Sequence, residues 1–491
     1  MSHEILRRTT SLALVAALSA CALGPDFKRP EAPANGGYAA PGEENLPAKA
    51  DIPNPQSEVI GQRISGEWWG LFRSSDLDQV VRQALTGNQT LVANRATLQQ
   101  AEQQLRVAGG ALYPQVNGSA SFAREKENLS TFGLSGPSPV FNLYQVGPSV
   151  SYSLDLFGGL HRQVEEQAAL AERAGYQLDA AYLTLTGNVV TQAITIASVR
   201  AQMRAVDDII ADDEKNLGLV QTEKTAGVAN DADVLQAASQ LDNDRTLLPP
   251  LRQQLAVARH AMAVLIGKAP SEWTPPDFDL ATLNLPRELP VTLPSELVRQ
   301  RPDILAAEAE LHAASAAIGV ATAQMYPSID LTAMLSQGAL FPGQLWRSAA
   351  TTASLGAGLT APLFHGGSLE AQRDAAQNAY DASLATYKQT VLQSFGQVAD
   401  TLQALTHDAE SLAAQRHALE SSEESLRLMR LSYSAGTVGV LPVIDAERLV
   451  QQARLGFVRA QTQRDLDTAQ LYLAMGGGWW DWQAGKNSVQ P

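Results

Sequence analysis

Cysteine is almost absent from this sequence. A single one, Cys21, occurs in 491 residues, which excludes a disulfide within the chain. Positive charge is scarce as well: 36 Lys and Arg stand against 51 Asp and Glu, a formal net charge of −15. That balance argues against nucleic acid as a partner, which calls for basic patches. The seven histidines are scattered and lack metal-ligand spacing. No phosphate loop is present, since Gly267-Lys268 lacks its upstream glycine, and there is no nucleophile elbow. Neither catalysis nor a bound metal or cofactor is expected. Long apolar runs are missing too. Beyond the N-terminal segment none reaches the ~18 residues of a membrane-spanning helix. A part that crosses a membrane would have to be a β-barrel.

What is present begins at the N-terminus. Arg7 and Arg8 precede an apolar run from Ser11 to Leu18, followed by Leu18-Ser19-Ala20-Cys21. The run has the proportions of a secretory signal over residues 1–20, and small residues ahead of a cysteine form a lipoprotein cleavage box. Cys21 is expected to become the first residue of the mature chain and to carry a covalent lipid. In such lipoproteins Ala22, where an Asp would retain the protein, implies export to the outer membrane.

The remainder is written twice. Tyr113-Pro114 returns as Tyr326-Pro327, Leu156-Phe157-Gly158-Gly159 as Leu363-Phe364-His365-Gly366-Gly367, and Ala226-Gly227 as Ala435-Gly436. The order is the same and the spacing is roughly 210 residues each time. Residues 68–268 form the first repeat and 295–475 the second. Outside them lie an extended arm at 21–67, a Pro-rich linker at 269–294 and a polar tail at 476–491. Each repeat opens with helix (about 90–111 and 303–325) and continues with two strands (115–124 and 145–156; 328–336 and 353–364). Val146, Pro148, Val150, Tyr152 and Leu154 fall on one face, and lengths near ten residues suit tilted strands across a bilayer.

A long proline-free helix follows in each repeat, at 160–224 and 368–433, each on the order of 100 Å at ~1.5 Å per residue. Apolar residues recur at alternating steps of four and three. In the second helix they include Phe395, Val398, Leu402, Leu405, Ala409 and Leu412, and in the first Ile196, Val199, Met203, Val206 and Ile210. Such seams pack as coiled coils. A glycine turn then reverses the chain into a returning helix, at 231–266 and 440–475. Pro249-Pro250 must break the first of these. The acidic run Asp207, Asp208, Asp212, Asp213 and Glu214 reads as a solvated helix face, and Trp68 and Trp69 as buried anchors.

This plan, together with Gly24-Pro25-Asp26-Phe27, Glu67-Trp68-Trp69, Arg301-Pro302-Asp303-Ile304, Ala361-Pro362-Leu363-Phe364 and Tyr433-Ser434-Ala435-Gly436, resembles the TolC family of outer-membrane channels over essentially the whole mature chain. The lipidated branch that serves resistance-nodulation-division (RND) pumps is the nearest match. The resemblance implies a homotrimer in the outer membrane whose four strands per chain close a 12-stranded barrel, continued by a helical barrel in the periplasm. Its implied partners are a periplasmic adaptor protein and an inner-membrane RND transporter, with outer-membrane lipid around the barrel. The implied function is a passive exit duct for drugs or other small toxic compounds. A type I protein-secretion duct has the same fold but usually lacks the lipid anchor. A trimeric coiled-coil scaffold would need no paired strands.

Carried over by position, Leu441 and Asp445 form the periplasmic gate, with Asp233, Tyr433 and Arg448 as latch residues. Val438 and Pro442 depart from members that have a basic latch residue and a second acid there. The competing reading is that Asp233 and Asp445 cap the returning helices.

Overall fold

The computed structural model describes residues 22–32, 37–38, 55–62, 64–128, 133 and 135–479. In chain order the elements are β1 (Ser57–Ile60), α1 (Ser75–Gly87), α2 (Gln89–Gly110), β2 (Gln115–Lys126) and β3 (Val140–Leu154). They continue with α3 (Gly159–Thr225), α4 (Asp231–Arg245), α5 (Leu248–Ile266), β4 (Glu288–Val291) and α6 (Pro294–Gln300). The last are α7 (Pro302–Ala323), β5 (Ser328–Ala339), β6 (Thr351–Thr360), α8 (Ser368–Ser434) and α9 (Val440–Ala474). The chain divides into two compact units.

The first unit comprises residues 1–30, 97–175 and 306–388. Its sheet has the antiparallel order β2-β3-β5-β6. Between β3 and β5 the ladder skips from Val146↔Gln337 to Ser149↔Met334. Pro148 has no N–H to give at that point. A Cβ on Gly147 would come within 2.1 Å of the Leu335 carbonyl oxygen, so only glycine fits. Every residue of β6 is exposed, Leu355 by 88%. On β2, Val116 and Phe122 are exposed as well.

The Gly24-Pro25-Asp26-Phe27 motif docks within this unit. Leu23 N–H donates to the Phe157 carbonyl (3.1 Å). Arg162, almost fully buried, donates to the Leu23 carbonyl (3.1 Å) and pairs with Asp26 and Glu165 (2.7 Å each). Phe27 stacks on the His312 ring at 4.4 Å. Gly24, at φ +94°, passes so close to Gly319 that a Cβ would sit 2.5 Å from its Cα. Helix α7 is the one helix among the described residues long and apolar enough to cross a membrane, and 56% of its apolar window is buried by its own chain.

The second unit comprises residues 31–96, 176–305 and 389–491. Here β1 pairs with β4 in parallel, Ser57 opposite Glu288, so the arm and the Pro-rich linker each supply a short strand. Trp68, Trp69 and Phe72 are buried, and Trp68 stacks on Tyr472 at 5.5 Å. Buried Arg301 donates to the Ala474 carbonyl (2.8 Å), Asp303 (2.7 Å) and Gln397 (2.9 Å), which accounts for the Arg-Pro-Asp motif. Ile196, Val199 and Val206 of α3 are buried, as are Val398, Leu405 and Leu412 of α8. Met203 and Ile210 lie at the seam's margin, half-buried, while Ile209 takes the buried position. Pro249 and Pro250 open α5 within its first turn, where a missing N–H costs nothing.

Candidate functional site at the helical turns

Both long helices end in the same way. Gly227 and Gly436 adopt left-handed backbone, at φ +79° and +70°. Val228 N–H then donates to the Glu223 carbonyl (2.9 Å) and Thr437 N–H to the Ser432 carbonyl (3.0 Å). These are Schellman closures, which need glycine because a Cβ is strained there.

The returning helices start differently. Asn230 caps α4, its Oδ1 accepting from the backbone N–H of Ala232 (2.7 Å) and Asp233 (3.1 Å). Asp233 closes the box by accepting from Asn230 N–H (2.9 Å). Asp233 therefore acts as a cap in this chain. Helix α9 has no side-chain cap on Gly439 and no acid in its first turn. Asp445, six residues into α9, does not cap it. Its side chain is 68% exposed, with Arg448 Nε 4.0 Å from Oδ1 on the same helix.

Helix ends from both repeats share one apolar cluster. Val220, Ala237, Val440 and Ile444 are buried in it, and Leu217, Ala229, Val234, Tyr433 and Leu441 pack around them. Leu441 is thus half-buried against its own chain. The Tyr433 hydroxyl donates to Glu223 of α3, while the carboxyl of Asp233, the other latch candidate, accepts from Asn230 N–H in its cap.

Sequence reasoning missed the polar bridge beside this cluster. Glu447 of α9 is buried, accepting from Arg430 of α8 (2.8 Å) and from Asn216 of α3. Its sequence signal is a carboxylate at a helix-seam position in the apolar series Val440, Val443, Ile444, Val450. Asp213 also departs from expectation. It is buried, not on a solvated face. Burial, and then the adjoining Asp244 and Glu447 carboxyls, push its carboxyl up to about 7. Among the described residues no group of acids, histidines or cysteines has metal-binding geometry. Cys21 lies outside the described residues.

Comparison with known proteins places this geometry. The profile of the family described as "Outer membrane efflux protein" matches residues 80–268 and 293–477. The chain is 32% identical over 469 residues to the pyoverdine export outer membrane protein OpmQ of Pseudomonas aeruginosa, covering 94% of this chain and 96% of that one. It is 28% identical over 468 residues to the cation efflux system protein CusC of Escherichia coli O6:H1, covering 94% and 97%. Among solved structures it resembles the outer-membrane channel OprN (TM-score 0.83, 27% identity, 94% of this chain and 100% of that one). The Campylobacter jejuni CmeC outer membrane channel shares the fold (TM-score 0.85, 20% identity, 96% and 98%). The chain belongs to the outer membrane efflux protein family, as an outer-membrane channel with four strands per chain of a twelve-stranded trimeric barrel and with long paired periplasmic helices.

Proposed function

We propose that this channel is the exit duct of an RND-type pump, shut at its periplasmic end by the helical turns and opened there by an adaptor protein. The observation that carries the gate is the contrast between the two acids carried by the turns. Asp233 is consumed by a capping box, whereas Asp445 caps nothing and is exposed. Three copies of Asp445 around the trimer axis would form a carboxylate ring favouring cations, and Leu441, one turn away, an apolar ring that resists wetting. Like charges brought together repel, so other contacts must hold the turns shut. The apolar cluster, the Tyr433–Glu223 bond and the Glu447 bridge supply them within each chain, and Arg448 offsets the charge of Asp445.

The cargo is set elsewhere in the pump. Similar channels are named for pyoverdine, cations and toluene, so one conduit fold serves unlike cargoes. On this reading Cys21 carries the lipid anchor.

The test is electrical. Purified trimers in planar bilayers should conduct poorly, and the cognate adaptor should raise the conductance. A wide-open channel without the adaptor would overturn the gated-duct reading.

A further inference from the structure

Each helical hairpin of the second unit sets a pair of carboxyl groups, one of them with a buried oxygen, between its long and its returning limb. In the first hairpin Asp213 of α3 lies against Asp244 of α4. Asp213 is only 4% exposed, and its Oδ2 has no hydrogen-bond donor. In the second, Asp408 of α8 lies against Asp467 of α9, and its buried Oδ2 also lacks a donor. The partner acid is held alike in both. Gln240 Nε2 donates to Asp244 Oδ2 (2.7 Å) and Gln463 Nε2 to Asp467 Oδ2 (2.9 Å), each from one turn earlier on the same helix. The pairs are not copies made by the repeat. At the spacing from Gly227 to Gly436, the counterparts of Asp213 and Asp244 are Ser422 and Ala453. The arrangement has been built twice, at different heights.

An ionised carboxylate only accepts hydrogen bonds. Two of them in contact repel, and here one oxygen of Asp213 and one of Asp408, cut off from water, are left unbonded; one shared proton turns the clash into a bond. The surroundings offer little other relief. Glu447 of α9 adds negative charge beside Asp213, and Gln451 contributes one hydrogen bond. The nearby cations are engaged: Arg430 by Glu447, Arg245 by Glu214 and Asp242, Lys215 by Asp212. Beside Asp408 the cation is Arg464, which also faces the buried Asp465 and donates to Gln56 (3.0 Å). His407 is turned to Glu410. Burial first, then the adjoining carboxyl, push Asp213 and Asp408 each up to about 7.

We propose that the two carboxyl pairs are proton-operated clasps, each holding its hairpin limbs together while it shares a proton and forcing them apart once both acids ionise. The sign follows from linkage. The folded hairpin binds the proton more tightly than the unfolded chain, whose aspartates keep the ordinary value of 3.8. The stabilisation is therefore complete below that value and is lost as pH rises through about 7. Hairpin closure is tightest in acid and weakest in alkali.

Amide hydrogen exchange on the intact trimer tests this, with rates corrected for their intrinsic pH dependence. Between pH of about 5.5 and about 8, protection of the α4 and α9 amides flanking the pairs should fall at least about tenfold, the equivalent of one pKa unit. In D213N/D408N the amide donates at every pH, and the fall at the α4 amides should shrink below about twofold; the α9 amides keep the share that belongs to Asp465, whose carboxyl burial also pushes up to about 7. Should that variant misfold, D244N/D467N neutralises the same pairs from the other limb. An undiminished fall in the variant, or no fall in the wild type, overturns the clasps. The readout does not involve conduction, so its failure would leave the duct reading standing.

Discussion

At the residue scale the functional assignments rest on what each polar atom has as a partner. Asn230 and Asp233 satisfy one another's backbone. Asn230→Ala should therefore cost about 1 kcal/mol, seen as a lower melting temperature of the helical signal, with the closed-state conductance unchanged. A rise in conductance would mean that the cap also latches the gate. Glu447 is a different case, because its removal leaves Arg430 and Asn216 without their shared acceptor. Glu447→Ala should destabilise the turns by about 1–3 kcal/mol and raise the frequency of spontaneous channel openings; an unchanged opening frequency would show the bridge to be merely structural. For Cys21, labelled palmitate should enter the wild-type protein and not Cys21→Ser, and label retained in the Ser variant would refute lipidation there. Function should partly survive that change, because a single acyl chain adds only marginal membrane affinity beside an inserted barrel.

At the scale of elements, periodicity was legible and pairing was not. The long helices read off the heptad steps and the missing prolines, since nothing in either run breaks the backbone ladder. They span Gly159–Thr225 and Ser368–Ser434. Pro249-Pro250 marked the break between α4 and α5 because proline is tolerated only in a helix's first turn. The β1–β4 ladder escaped notice for a physical reason. Four residues give too short a run for alternation, and Pro290 within β4 makes that segment look like linker. The burial of Asp213 was equally invisible. An acidic run on one helix looks solvated until the opposing helix is in place. Gly147 gives this scale its test. Gly147→Val would drive a side chain into the β5 backbone, so the variant should lose the β contribution to its circular dichroism and fail to form trimers. Trimers of normal stability would show that the strand can shift to admit a side chain.

For the whole molecule, the decisive fact is an open sheet. β2 and β6 are edge strands that leave backbone groups unpaired within the chain, and in a bilayer such edges are tolerated only if the sheet closes. Closure by three chains brings three copies of every helical turn around one axis, which is what would turn an exposed aspartate into a ring. The gate claim therefore depends on symmetry as much as on any contact within one chain. The motifs of the sequence point to this end of the molecule, but they do not separate a capping acid from a free one.

Single-channel conductance of the L441A/D445A double variant tests the central claim most directly, measured on trimers whose melting temperature matches the wild type. The account predicts a higher conductance and weaker cation selectivity, because both the apolar constriction and the carboxylate ring are removed. Wild-type conductance and selectivity in that variant would contradict the gate.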